Sequence, residues 1–248
     1  MIFLVDGAGK KTWVKVSYEM LKVSSLGTLD GRRFADFDDG SKMSVAGKEY
    51  TIFRPGALDL IGSLDRGAQI ITPKDAATIL LNCDVMPGRT ILEVGAGSGG
   101  LTTALLSAVG SEGKVHTIEF KEENIQRVFK NLQRTGLGEK WSNTFGDARD
   151  VSVDIVADAL IMDMPDPWLA LDNLYDNLRL GGRICAYVPN MNQAESIVVA
   201  LREKGFADVY ALENMQRGIE VHPGGVRPSF EMLGHTGYLV FGRKAEQS

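Results

Sequence analysis

Residues 91–102 read Ile-Leu-Glu-Val-Gly-Ala-Gly-Ser-Gly-Gly-Leu-Thr, an apolar run that carries an acid and opens straight into a glycine-rich turn. The run Thr90 to Val94 is short, as a buried parallel strand is. Gly95, Gly97 and Gly99 remove the Cβ where a backbone has to turn sharply and let a ligand lie against it. From Leu101 to Val109 apolar residues recur at helical spacing. Strand, turn and helix together predict a nucleotide-type cofactor cradle at the carboxyl end of a sheet strand.

Gly95, Gly97 and Gly100 also satisfy G-x-G-x-x-G, and Glu119 follows Gly100 by 19 residues at the end of a second apolar strand, Val115 to Ile118. That pattern by itself suits NAD and S-adenosylmethionine alike, since a carboxylate there accepts hydrogen bonds from a ribose diol in both. Three details favour S-adenosylmethionine. Glu93, two residues before Gly95, puts a carboxylate beside the loop, where it suits a cationic methionine end and repels a pyrophosphate. Asp147, in Phe145-Gly146-Asp147-Ala148, ends a third strand and suits an adenine amino group. Asp163 ends a fourth, Ala157 to Met162, and continues as Asp163-Met164-Pro165-Asp166-Pro167-Trp168. Carboxylates at successive strand ends suit a ligand that carries a sulfonium and an ammonium.

Outward from this centre, strands and helices alternate. A helix is predicted over 74–85, with Pro73 at its start. Then come helix 100–109, strand 114–118, helix 121–134, strand 141–145, strand 157–163, helix 167–178, strand 183–188 and helix 191–203, with Gly181-Gly182 as a break between helix and strand. Two further strands, about 207–213 and 236–242, suit an antiparallel edge. The expected fold is α/β, a doubly wound, mostly parallel sheet of the Rossmann-like kind. The first residues differ. Ile2 to Val5, Thr12 to Val16, Met43 to Val45 and Tyr50 to Phe53 are short β-rich runs separated by Asp6-Gly7, Asp30-Gly31, Asp39-Gly40 and Ala46-Gly47. Residues 1–64 are therefore read as a small antiparallel β domain with its linker, and 65–248 as the cofactor-binding domain.

The chain has 248 residues, 44% of them hydrophobic and 24% charged, which is ordinary for a soluble globular protein. No run approaches the roughly 20 apolar residues of a membrane span, and the start of the chain lacks the basic leader of a signal peptide. The cysteines, Cys83 and Cys185, sit in apolar surroundings, which fits buried free thiols and a cytoplasmic setting. No metal is expected, because His116, His222 and His235 have no ligand spacing with one another. The net charge is −5, but residues 1 to 66 carry ten Lys/Arg against nine Asp/Glu and the remainder 17 against 23. A polyanion would have to meet a local patch.

Four blocks resemble the tRNA (adenine-N1)-methyltransferase family, which modifies position 58 of the T-loop, and in archaeal members 57 as well, with a class I methyltransferase domain. They are Gln69-Ile70-Ile71-Thr72-Pro73-Lys74-Asp75-Ala76, the glycine loop, Asp163 to Trp168, and Gly234-His235-Thr236-Gly237-Tyr238-Leu239. The glycine loop is common to many methyltransferases; the other three, in this order, are specific. The resemblance implies a small N-terminal β domain, S-adenosyl-L-methionine as cofactor, tRNA as substrate and a homotetramer. It implies that Ser98, Gly99, Gly100 and Leu101 contact the methionine portion, that Glu119 holds the ribose, and that Asn124 and Asp147 lie at the adenosine. Asp163 would be the catalytic carboxylate, and His235 with Arg227-Pro228 would shape the edge of the site. Thr72 departs from the pattern: relatives carry tyrosine or histidine there, a ring that stacks on the base, and such stacking is worth roughly 1–3 kcal/mol.

Other functions compete with this one. The glycine loop also suits a methyltransferase acting on protein, as isoaspartyl methyltransferases do, or on a small molecule. A non-catalytic tRNA-binding subunit would have lost the glycine loop or the strand-end acids, and both are intact. A dehydrogenase is the remaining alternative. Trp168 is read as packing.

Overall fold

The structure, a computed structural model, describes residues 1–23, 25–65, 67 and 70–246. Strands β1 (Ile2–Val5) and β2 (Lys11–Val14) form an antiparallel hairpin whose turn is held by Asp6, which accepts the Ala8 and Lys10 backbone N–H groups at 3.0 and 2.9 Å. Strands β3 (Met20–Val23) and β4 (Gly27–Asp30) form a second hairpin, too short for its alternation to be read from sequence. Strands β5 (Lys42–Val45) and β6 (Lys48–Phe53) complete an antiparallel sheet of order β2-β1-β6-β5. Ile2, Leu4, Val14, Val45 and Ile52 turn to one side and bury a small core with Phe34. Helix α1 (Ala57–Ser63) follows, and its Ile61 belongs to the core of the next sheet.

After α2 (Pro73–Asn82) the chain alternates β7 (Thr90–Val94), α3 (Gly100–Val109), β8 (Lys114–Glu119), α4 (Glu122–Thr135), β9 (Trp141–Phe145) and β10 (Ala157–Met162). It continues through α5 (Leu171–Leu174), β11 (Leu178–Val188), α6 (Met191–Glu203), β12 (Ala207–Glu213), the hairpin β13 (Ile219–His222) and β14 (Gly225–Pro228), and β15 (Tyr238–Arg243). The large sheet has the order β12-β15-β11-β10-β7-β8-β9. It is parallel from β11 to β9, while β15 runs antiparallel to β11 and β12. The expected antiparallel strand is thus present, one place inside the edge. Successive residues of the central strands face opposite layers. Ile91, Ala159 and Ile161 pack against the side of α2, α3 and α4. Leu92, Leu160 and Met162 pack against the side of α5 and α6.

Two expectations are corrected. The helix read over 167–178 is a 3-10 turn (Pro167–Ala170), the single turn α5, and a second 3-10 turn (Tyr175–Asn177). Asp172, Asn173, Asp176 and Asn177 are poor helix formers. Asn173 and Asn177 instead donate to the Ala148, Val151, Val153 and Ile155 carbonyls at 2.7–3.0 Å. Gly181-Gly182 does not separate helix from strand but lies inside β11 as a bulge, where the register against β10 shifts between Ala157 and Ala159. Gly181 takes φ +73, and both glycines bond Lys244 at 2.9 Å, so β11 is longer at its base than its apolar run suggests.

Candidate active site

Chain connections leave β7 toward β8 on one side, while β10 lies on the other, so the strand order reverses between β7 and β10. A crevice opens at such a point beyond the carboxyl ends of the strands. The two ends are locked together: the Asp163 N–H donates to the Val94 carbonyl at 2.8 Å. Gly95 makes this approach possible. It has φ +86, and a Cβ there would lie 2.0 Å from the Asp163 carbonyl oxygen. Gly97, at φ +52, has nothing within 4 Å of its would-be Cβ, so its bare backbone faces open space in the cradle. Gly99 caps α3 in a left-handed conformation and Gly100 is the first residue of that helix.

The strand-end acids converge on this loop, in different ways. Glu119 is buried and accepts the Ala96 and Gly97 N–H groups at 2.8 and 3.2 Å and that of Lys121 at 2.8 Å, so it ties the glycine loop to the end of β8. Glu93 is fully buried beneath the loop, accepting from Thr102 at 2.8 Å and Thr117 at 2.7 Å. Burial pushes its carboxyl up to about 7 against the pull of those two hydroxyls, and the negative charges of Asp163 and Glu119 add to the rise. Asp147 is gripped by the Arg149 guanidinium, which holds its carboxyl down at about 2. Asn124 is nearly buried and accepts from Arg127 at 3.3 Å. Ser98 is buried, with its hydroxyl accepting the Gly67 N–H at 3.0 Å, and the Leu101 side chain is part of the core.

Gly95, Gly97, Glu119, Asn124, Asp147 and Asp163 line one cavity of about 380 Å³. Asp163 also lines a second cavity of about 450 Å³, whose other walls include Ile70, Pro165, Tyr187, Gln193 and Thr236. One carboxylate thus belongs to two adjoining spaces. Burial, with Glu119 nearby, lifts the Asp163 carboxyl to about 6. The Glu93 and Asp163 carboxyls are both raised, by burial first and then by neighbouring carboxylates, and a cationic ligand would relieve that crowding of negative charge, which is the donor set expected for a sulfonium. Among the described residues no group of three or more His, Cys, Asp or Glu is placed to hold a metal ion.

Some residues singled out in the sequence fall elsewhere. Thr72 turns its hydroxyl to Asp75 at 2.8 Å and lines a neighbouring apolar groove with Leu58 and Leu80. His235 braces the rim: its ring nitrogens lie 2.6 Å from a Glu213 carboxylate oxygen and 2.9 Å from the Pro189 carbonyl. Arg227 and Pro228 sit on the exposed β13–β14 hairpin, where Arg227 pairs with Glu220 and covers the Phe230 ring. Trp168 packs against the α5–α6 core. Gln69 lies outside the described residues.

Tyr187 and Gln193 were not legible from sequence, because nothing short of the fold brings the end of β11 and the start of α6 to Asp163. The same holds for the buried network behind Tyr187. Asp75 accepts from Thr72, from Lys74 at 2.8 Å and from Thr236 at 2.7 Å. Lys74 also donates to the Asn214 carbonyl and to the Thr236 hydroxyl, and the Tyr187 phenol donates to the Thr236 carbonyl at 2.6 Å. Burial works to raise the Asp75 carboxyl, and the donors outweigh it and hold it below the usual range.

Residues 60–226 match the family described as the tRNA methyltransferase complex GCD14 subunit. The chain is 32% identical to the tRNA (adenine(57)-N(1)/adenine(58)-N(1))-methyltransferase TrmI of Methanocaldococcus jannaschii, over 97% of this chain and 93% of that one. Among solved structures, the tRNA (m1A58) methyltransferase TrmI of Aquifex aeolicus aligns with a TM-score of 0.77 at 28% identity, over 99% of this chain and 97% of that one. A Thermotoga maritima structure described as a SAM-dependent O-methyltransferase aligns with a TM-score of 0.83 at 30% identity, over 100% and 93%. With the glycine loop, the strand-end acids and these relatives in agreement, the chain belongs to the tRNA (adenine-N1)-methyltransferase family.

Proposed function

We propose that the protein transfers a methyl group from S-adenosyl-L-methionine to N1 of adenine at position 58 of the tRNA T-loop. The observation that carries this reading is the position of Asp163, whose carboxylate is common to the acidic, glycine-floored cavity and to the cavity walled by Tyr187 and Pro165. The first cavity is assigned to the cofactor. Gly95, Gly97, Ser98, Gly99, Gly100 and Leu101 form its loop, Glu119 faces the ribose, and Asn124 and Asp147 face the adenosine. Glu93 acts from below the loop, through charge. Three lone-pair sites of Glu119 are already used by backbone N–H groups, so a ribose diol would have to share or displace them.

The cofactor supplies an electrophilic methyl group on a sulfonium. The protein's task is then alignment and charge. Adenine N1 offers an in-plane lone pair and needs no deprotonation to attack. Positive charge grows on the purine as the bond forms. A carboxylate accepting from the exocyclic amino group opposes that charge, more strongly in the transition state than before it. Asp163 is the residue assigned this role. Tyr187, with its phenol committed to Thr236, presents a ring to the second cavity and is the aromatic that compensates for Thr72. The target base has to leave its stack, at a cost of about a few kcal/mol that contacts elsewhere offset.

A groove of about 330 Å³ in the N-terminal β domain gives those contacts a place. Lys10, Lys11, Lys15 and Lys22 line it beside Trp13, and no acid is among its described lining residues. Lys11 is bound to Asp59 at 2.6 Å, and no ion pair engages the other three among the described residues. Self-association, as a homotetramer, is supported by Ile219, Val221 and Val226, each more than half exposed on the β13–β14 hairpin. A cytoplasmic location agrees with two buried free thiols, and no helix among the described residues is long and apolar enough to cross a membrane. The division at residues 64 and 65 is retained, with α1 as the link between the domains.

The test is to incubate the protein with unmodified tRNA and labelled cofactor and to map the methylated nucleoside. The same mapping separates this reading from methylation of a protein, of a small molecule or at oxygen. Asp163→Ala is expected to lower turnover by orders of magnitude with a much smaller change in cofactor affinity; near-normal turnover would remove Asp163 from the mechanism.

A further inference from the structure

The second cavity is lined by a side chain that carries a polar atom the fold leaves unanswered. The Oε1 of Gln193 is fully buried and has no hydrogen-bond partner among the described residues. A buried amide oxygen without a partner is costly, and native folds seldom keep one without a use. Its position is not accidental slack. Gln193 is the third residue of α6, and its N–H donates to the capping Asn190 side chain at 2.9 Å, so the backbone that carries it is fixed. The other polar groups around the cavity are committed. The Tyr187 phenol donates to the Thr236 carbonyl, and the Thr236 hydroxyl accepts from Lys74 and donates to Asp75. Ile70, Met164, Pro165 and Pro189 supply apolar wall. The result is a slot for a flat ring, lined by Asp163 and by Gln193, whose sealed amide oxygen has no hydrogen bond to give up when it turns toward a ligand.

We propose that Gln193 selects adenine by reading its Hoogsteen edge, Oε1 accepting from the exocyclic amino group and Nε2 donating to N7. A glutamine amide matches that edge as a bidentate pair. This choice also leaves N1 free, as the reaction assigned above requires, and the inference rests on that assignment. The amino group has two hydrogens. The one beside N1 goes to Asp163 and the one beside N7 goes to Gln193, so the base is held from both sides with its nucleophilic nitrogen open between them. Guanine puts a carbonyl where the amino group stands. Its O6 would meet Oε1, acceptor against acceptor, and turning the amide over only moves the conflict to N7.

The test is a cycle of two changes, one in the protein and one in the RNA. Gln193→Leu removes both amide contacts at similar size, and 7-deazaadenine at the target position removes the N7 acceptor from the substrate. Each change alone is expected to lower kcat/KM by roughly tenfold to a hundredfold, and the two together by little more than either. Losses that multiply would overturn the assignment, because they show that the two groups do not meet. Full activity of the unaltered protein on the 7-deazaadenine substrate would overturn it without any variant. The rise in melting temperature with S-adenosylmethionine should be the same in Gln193→Leu and the parent. If the parent protein methylates no tRNA adenine, the proposed reaction falls and this inference with it. If it does methylate adenine and the losses multiply, only the role of Gln193 falls.

Discussion

Gly95→Ala and Gly97→Ala differ by one methyl group on the same loop, and the structure assigns them opposite consequences. At Gly95 the added carbon would lie 2.0 Å from the Asp163 carbonyl oxygen. Ordinary C···O contacts are about 3.3–3.6 Å, so the ends of β7 and β10 would have to part by about 1 Å. The left-handed φ of +86 adds a penalty of about 1–2 kcal/mol, and overpacking of this kind costs about 1–3 kcal/mol. Together these predict a loss of about 2–5 kcal/mol, which in a chain of this size lowers the melting temperature by roughly 4–20 °C. The strain falls on the backbone of Asp163 itself, and a misplacement near 1 Å costs on the order of 100-fold in rate. At Gly97 the φ of +52 imposes its own strain, about 1–2 kcal/mol, but nothing stands within 4 Å of the new carbon. Gly97→Ala should therefore stay folded and lose cofactor affinity, because the methyl group projects into the space assigned to the ligand. The assay is thermal unfolding with and without S-adenosylmethionine, followed by kcat and cofactor KM for each variant. If Gly95→Ala unfolds at the parent temperature with parent kcat, the close approach of the glycine loop to Asp163 is not what positions the carboxylate.

Three further outcomes are expected. Asp75→Ala would strand the Lys74 ammonium, whose side chain is only 12% exposed, and should destabilise the fold by about 3–5 kcal/mol in urea unfolding, with Asp75→Asn less damaging; a loss under 1 kcal/mol would mean the network carries little. Because the Asp163 carboxyl is raised to about 6 by burial and by Glu119, a cationic ligand draws it toward ionisation. S-adenosylmethionine affinity should then fall as pH drops below about 6, with proton release near that pH in calorimetry, and less so for the sulfur-neutral product S-adenosylhomocysteine; identical pH profiles for the two would contradict the sulfonium assignment. Replacing Lys10, Lys15 and Lys22 by alanine should reduce the salt slope of tRNA binding by about 2–3 while leaving the cofactor-dependent melting shift intact. An unchanged slope would leave Lys10 and Lys15 as guards of the edge strand β2 and Lys22 as a solvated residue of β3.

Short-range pattern was enough for the sheet, the glycine turn and the acids. Short continuous apolar runs such as Ile91-Leu92 and Ala159 to Met162, glycines in a row before an apolar helix, and an acid at each strand end are local signals, and a strand places its last residue by its own geometry. Where local preference was weak or divided, the reading failed: in the asparagine- and aspartate-rich segment 167–178, in the Gly181-Gly182 bulge, and in the short hairpins β3–β4 and β13–β14. Only the tertiary structure decided what the acids do. Glu119 clamps the glycine loop, Glu93 lies sealed beneath it, Asp147 is taken by Arg149, and Asp163 alone of these four opens on both cavities. For Glu93 and Asp163 the neighbours are remote in the chain, and so is the origin of their raised pKa, whereas Asp147 meets Arg149 two residues away. Tyr187 and Gln193 came to light for the same reason, since their meeting with Asp163 is a property of the strand order β11-β10-β7 and of no motif.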